Sequence, residues 1–146
     1  MGIAFRILPD LGLIAVRYEG VAQLQETMVV LSACAAHPDF HPAFRHVVDL
    51  RAVTDFERDM LGFFKMQAQA IEKFPQNILG EFPFHMVMLA PPGAPWEMAD
   101  LVRRTWEGLG LTIVRVVDTP DAVVDLLGLR AKDAVRMFGA MEELRR

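Results

Sequence analysis

The residues with the most explicit chemistry stand in one short run. His37, Asp39 and His41 alternate along the chain, and two imidazoles with a carboxylate make a donor set suited to zinc or another divalent ion. Each of these histidines precedes a proline, so the same run also reads as two stiff turns in which Asp39 caps a local amide. No other ligand is tied to it by spacing, and no cofactor is expected on the first reading. Asp55, Glu57 and Asp59 offer carboxylates for general acid–base work, but no proton-transfer partner is identifiable and they read as first-turn charge on a helix capped by Asp55. Cys34 falls in an apolar helical stretch, a setting for packing rather than for a nucleophilic thiolate. His46 and His85 fall inside strands, where a core or interface histidine with a hydrogen-bond partner is expected. The segment Pro91-Pro92-Gly93-Ala94-Pro95 precedes a helix as a phosphate loop would. It lacks the glycines and lysine of such a loop, and its prolines remove backbone donors.

These residues are placed by alternating strands and helices. Ile3 to Leu8 and Leu13 to Tyr18 are apolar runs joined by a Pro/Asp/Gly connection, which predicts a hairpin stopped by Gly20. From Val21 to Ala36, Leu24, Met28, Leu31 and Ala35 recur at helical spacing, and His37-Pro38 ends the helix. Phe44 to Leu50 reads as a strand. The following helix runs to about Phe74, with Met60, Phe63, Phe64, Ile71 and Phe74 as its apolar stripe and Pro75 closing it. Phe82 to Leu89 is a strand, and a helix from Pro95 carries Ala99, Val102, Trp106 and Leu109 up to Gly110. Leu111 to Val117 is the last strand. Thr119-Pro120-Asp121 opens a short helix ending before Gly128, and Ala131 to Leu144 forms a final one.

Strands alternating with helices of this length imply a five-stranded, mostly parallel sheet with an antiparallel first strand. A parallel sheet covered on both faces reads as nearly continuous Val, Ile and Leu. Here Arg6, Arg17, His46, His85 and Arg115 interrupt the strands, so the helices are expected mainly on one face. Water, the extra last helix or a second subunit would then lie on the other.

With 146 residues, 53% apolar and 23% charged, a net charge of −4 and one cysteine, the chain fits a single soluble domain without disulfides. Lys and Arg are scattered, with Arg103-Arg104 and Arg145-Arg146 as the pairs, which argues against nucleic acid as a partner. The longest nearly apolar stretch, Met28 to Ala36, is far shorter than the roughly 18 residues of a membrane span, and no charged-then-apolar leader opens the chain. A cytoplasmic protein without a membrane span is expected. Nine methionines, ten phenylalanines and two tryptophans exceed what a core of this size calls for. Met66 falls off the stripe of its helix, Met98 lies beside its own, and Trp96 opens the third helix just after the stiff proline loop; such residues line an adaptable pocket or a subunit contact where they are not simply core.

Tyr18-Glu19-Gly20 after the hairpin, His37-Pro38-Asp39-Phe40 after the first helix, and Val47-Val48-Asp49-Leu50-Arg51-Ala52-Val53 at the third strand carry a resemblance. In this order of elements the chain resembles the STAS domain, the fold of bacterial anti-sigma-factor antagonists and of the cytoplasmic tails of sulfate transporters, and particularly its divergent SpoIIAA-like branch. The resemblance covers residues 3–129. It implies a superhelix of strand–helix turns shared with CRAL-TRIO lipid-transfer domains, spanning residues 1–129 with 130–146 as a helical extension. Partner-switching antagonists place a phosphorylatable serine at the start of the second helix. Here Glu57 and Arg58 fall at that position, and Ser32, the chain's one serine, lies in the first helix.

The expectation is therefore a non-enzymatic regulatory or binding module, forming a homodimer and acting through a regulatory protein partner or an apolar small molecule. Its site is expected at the carboxyl ends of the strands, from Asp49, Arg51, Thr54, Glu57, Arg58, Pro92 and Trp96. A small enzyme or metal-binding protein using His37, Asp39 and His41 is the alternative.

Overall fold

The computed structural model describes residues 2–74, 83–108 and 112–144. Pro75, Phe82, Leu109, Gly110, Leu111 and the Arg145-Arg146 pair lie outside them. Strand β1 (Ile3–Leu8) and strand β2 (Leu13–Ala22) form the expected hairpin through a 3-10 turn at Pro9–Leu11. Gly12 closes that turn at φ 64°, a left-handed conformation that suits glycine. From there β2, β3 (Arg45–Phe56), β4 (Phe84–Leu89) and β5 (Thr112–Val117) pair in parallel, giving a five-stranded sheet in the order β1-β2-β3-β4-β5.

That order explains where the helices go. Each parallel strand joins the same edge, so right-handed crossovers through α1 (Leu24–Ala36), α2 (Met60–Lys73) and α3 (Ala94–Glu107) all fall on one face. Their core there includes Leu50, Phe63, Met88, Ala99 and Trp106. The opposite face is covered by α4 (Pro120–Leu127) and α5 (Ala131–Glu143), which bury Val123, Met137 and Met141 against Val47, Val87 and Leu89. The chain thus forms the expected α/β architecture, with its additional C-terminal helix across the second face. Among the described residues no helix is long and apolar enough to cross a membrane.

Strand phase separates the polar residues that the sequence reading grouped on one face. Side chains alternate along a strand, so Arg17 is in phase with Leu13 and Ala15 under α5, and His85 with Val87 and Leu89. Arg6 and Arg115 lie on that face too, and Arg6 pairs with Glu143 of α5. His46 is in phase with Val48 and Leu50 and points to the α1–α3 side.

Three expectations about boundaries need correction. Gly20 does not stop β2; it takes φ 70° where the β2–β3 register shifts, and the strand continues to Ala22. Nor does β3 end at Leu50, because Val21 pairs with Asp55 and Ala22 with Phe56, which carries β3 six residues further. Asp55 is consequently a strand residue, and the cap of α2 is Asp59, whose side chain accepts from the Gly62 amide at 3.0 Å. The stripe read on α2 is also rotated. Phe63, Met66, Gln67 and Ala70 are buried, while Met60 and Phe64 are exposed.

Candidate functional site

Between the sheet and α1–α3 the side chains leave a cavity of about 90 Å³. Its floor follows the period-two rule, with Val16 and Tyr18 from β2, and His46 and Val48 from β3. Its roof follows the helical period, with Thr27, Leu31 and Cys34 descending from α1. Met66, Met86, Met88 and Met98 contribute flexible walls that can adjust to an occupant. No Asp, Glu, Lys or Arg is found among its described lining residues. Met66 and Met98, singled out for standing off their helical stripes, both border it; Trp96 does not, and Trp106 does.

His46, with Tyr18 and Thr27, brings polar atoms to this cavity's lining. His46 is 3% exposed, and among the described residues its Nε2 has no hydrogen-bond partner. The imidazole stacks on Phe84 with centroids 4.7 Å apart and meets Phe74 edge-on at 6.0 Å, while Phe84 lies parallel to Trp106 at 5.7 Å. Burial, with the charge of His85 adding to it, pushes the His46 pKa down to about 4, so the ring is neutral at pH 7. The strand position had suggested a histidine with a partner, and the missing partner has no sequence signature. Farther along, Thr27 Oγ1 donates to the Gln23 carbonyl at 2.9 Å and so accepts from the Tyr18 hydroxyl at 3.1 Å. Cys34 is buried at the cavity wall, and burial raises its thiol pKa to about 12, a packing role rather than a nucleophile's.

The residues expected to form a site are dispersed. Asp49 is buried beneath α5, where it accepts from Arg17 Nη1 at 3.2 Å and from Arg51 Nη2 at 2.9 Å. Arg51 lies over the Phe138 ring at 5.9 Å. Thr54 is exposed on the β3 extension. Glu57 accepts from the Leu24 amide at 3.1 Å, supplying the N-terminus of α1 with the cap that Gln23 does not give. Arg58 covers Phe56 at 4.0 Å and donates to Asp55 at 2.8 Å and to Glu97 at 3.4 Å, which ties the β3–α2 loop to the first turn of α3 beside Trp96. Pro92 sits in the exposed turn before α3, and Trp96 is 47% exposed in a shallow groove with Arg103 and Arg115. Arg58 and Trp96 thus share one end of the fold, whereas Asp49 and Arg51 face the other layer.

The His37–His41 run is folded into local turns. His37 Nδ1 accepts from the Asp39 amide at 3.1 Å, and His41 Nδ1 from the Ala43 amide at 3.0 Å. Among the described residues no group of three or more His, Cys, Asp or Glu side chains is arranged to hold a metal ion.

No family model matches the chain, and no curated protein matches it in sequence. Among solved structures it is similar to the anti-sigma factor antagonist SpoIIAA in its unphosphorylated form, with a TM-score of 0.48 and 8% identity, over 87% of this chain and 99% of that one.

Proposed function

We propose that this protein is a non-enzymatic binding module that takes a small apolar molecule into the cavity between β2–β4 and α1–α3. The observation that supports the reading is the cavity itself: about 90 Å³, lined largely by methionines and aromatics, within the apolar cluster of this face. Natural interiors hold few voids larger than water, and an apolar cavity of about 150 Å³ takes up benzene. A single ring or a short aliphatic group matches this smaller space once the methionine walls adjust. Toluene is the direct probe. Saturating toluene raises the melting temperature of the native protein, as ligation of the folded state alone must. The Val48→Phe variant, which fills the cavity, loses that shift. An unchanged melting temperature in the wild-type protein overturns the reading.

A second reading, association through protein contacts, is favoured by α2. Leu61 is 66% exposed and Phe64 52% exposed, one helical turn apart on the same side of the helix. Homodimerisation through that stripe predicts sedimentation as a dimer at tens of micromolar and as a monomer in Leu61→Glu/Phe64→Glu.

A further inference from the structure

Independently of the cavity, we propose that the free edge of β5 docks an extended segment of a partner protein, which joins the sheet as a sixth strand and sets a carboxylate opposite Arg115 and an apolar side chain against Trp96. β5 is the last strand of the sheet and pairs with β4 alone among the described residues. Backbone groups of successive strand residues turn to opposite sides, and the Val117 carbonyl is turned to β4, where it accepts from the Ala90 amide at 2.8 Å. Val117, Arg115 and Ile113 therefore turn their N–H and C=O groups to β4, and Thr112, Val114 and Val116 turn theirs outward. Among the described residues no backbone group pairs with these three on the outer side. Such a row is a template for another strand.

The side chains beside this edge specify what pairs there. On one side Trp96, Asp100, Arg103 and Glu107 of α3 border a groove along β5. Its charges are closed on themselves, since Arg103 donates to Asp100 at 2.6 Å and to Glu107 at 3.2 Å, and Arg104 pairs with Asp100 at 3.1 Å. Trp96, 47% exposed, is left to meet an apolar side chain. On the other side Arg115 stands exposed along the edge without an ion pair among the described residues, and its charged neighbour in the sheet is His85, which is no counter-ion. A second copy of β5 is a poor occupant. Antiparallel pairing about Arg115 sets two guanidiniums against each other, and pairing about Val114 sets each of them opposite the apolar Ile113. A strand with glutamate at that place answers the charge.

The probe is a fluorescein-labelled hexapeptide alternating valine and glutamate, which as a strand puts all its valines on one face and all its glutamates on the other. Fluorescence anisotropy with the wild-type protein is expected to show saturable binding. The same peptide with lysine for glutamate is expected to bind about tenfold more weakly, and Arg115→Glu to reverse that order. The fully N-methylated valine–glutamate peptide keeps every side chain and charge but has no amide to donate, and it is expected not to bind. In the wild-type protein, where no variant need fold, amide exchange at Val114 and Val116 is expected to slow about tenfold at a peptide concentration ten times the dissociation constant, and the Arg115 amide, already turned to β4, to gain no such protection. No saturable binding of the valine–glutamate peptide, equal binding of the lysine or the N-methylated peptide, or unchanged exchange at Val114 and Val116 overturns the inference. Slow exchange at those two amides before any peptide is added, growing with protein concentration, also overturns it and assigns the edge to a second copy.

Discussion

The two faces of the sheet treat their polar residues in opposite ways. Beneath α5, Asp49 is 1% exposed and fully occupied: one oxygen accepts the Arg51 amide and Nε, each at 3.0 Å, and the other accepts from both Arg17 and Arg51. Arg17 spends its remaining reach on Glu19 at 3.1 Å, and Arg51 rests on Phe138. Around this network the apolar side chains of β2, β3, β4, α4 and α5 are packed with Val47, Val87 and Val123 wholly buried. Beneath α1 and α2, the His46 imidazole lines a cavity and is 3% exposed, with its Nε2 unpaired among the described residues. A closed network of charges ties β2 to β3 beneath α5 and leaves Asp49 no open acceptor for a ligand. Among the described residues no such network holds His46.

Removing Asp49 tests the closed side and carries the largest expected effect. Asp49→Ala leaves the buried Arg17 with Glu19 as its remaining partner, and the loss is about 3 kcal/mol in urea unfolding. A loss below about 1 kcal/mol would mean that water reaches this network and that the contrast between the faces is false.

His46 sets the next test through pH. Its unfolded pKa of 6.5 exceeds the folded value of about 4, so between those values the unfolded chain holds the extra proton. Stability from this group is complete above about pH 6.5 and falls as the pH drops toward 4, by about 3 kcal/mol in all. Unfolding measured at pH 7 and pH 4.5 should show this loss in the wild-type protein and a flatter profile in His46→Leu. Identical profiles would place His46 in contact with water.

Filling the void sharpens the comparison from the other direction. Val48→Ile adds one methylene to the cavity floor and is expected to stabilise by about 1 kcal/mol while weakening toluene uptake. The same enlargement at Val47, on the packed face, is expected to destabilise by about 1–3 kcal/mol through overpacking. The smallest effect belongs to Trp96→Ala. This half-exposed side chain stands outside both cores, so its loss costs under about 1 kcal/mol and leaves toluene binding unchanged.

Much of the fold was legible because its signals are local. The hairpin turn, the Thr119 cap that accepts from Ala122 at 3.2 Å, and the left-handed Gly128 after α4 follow from residue types within a few positions of one another. The β3 extension was not legible, since Val53 to Phe56 carry Thr54 and Asp55 and read as a capped helix start until β2 pairs with them. Asp59 won the cap because the strand consumed Asp55. At the candidate site, Met66 and Met98 were visible as methionines out of stripe, but Trp96 was chosen over Trp106 because a proline-positioned helix start is conspicuous in sequence and a buried helix end is not.

By itself the sequence determined the order of elements, the antiparallel first strand and the crossovers, because periodicity, caps and breakers act over a few residues and leave the chain few alternatives. It also determined that strand polar groups had to be accommodated somewhere. Only the tertiary structure decided which were paired and which was left open. Register phases Arg17 and Asp49 toward α5 and His46 toward α1 and α2, and the cavity is a small difference between the space those elements enclose and the volume of the side chains that fill it. Such a difference is a property of elements far apart in the chain, and no local pattern of residues encodes it.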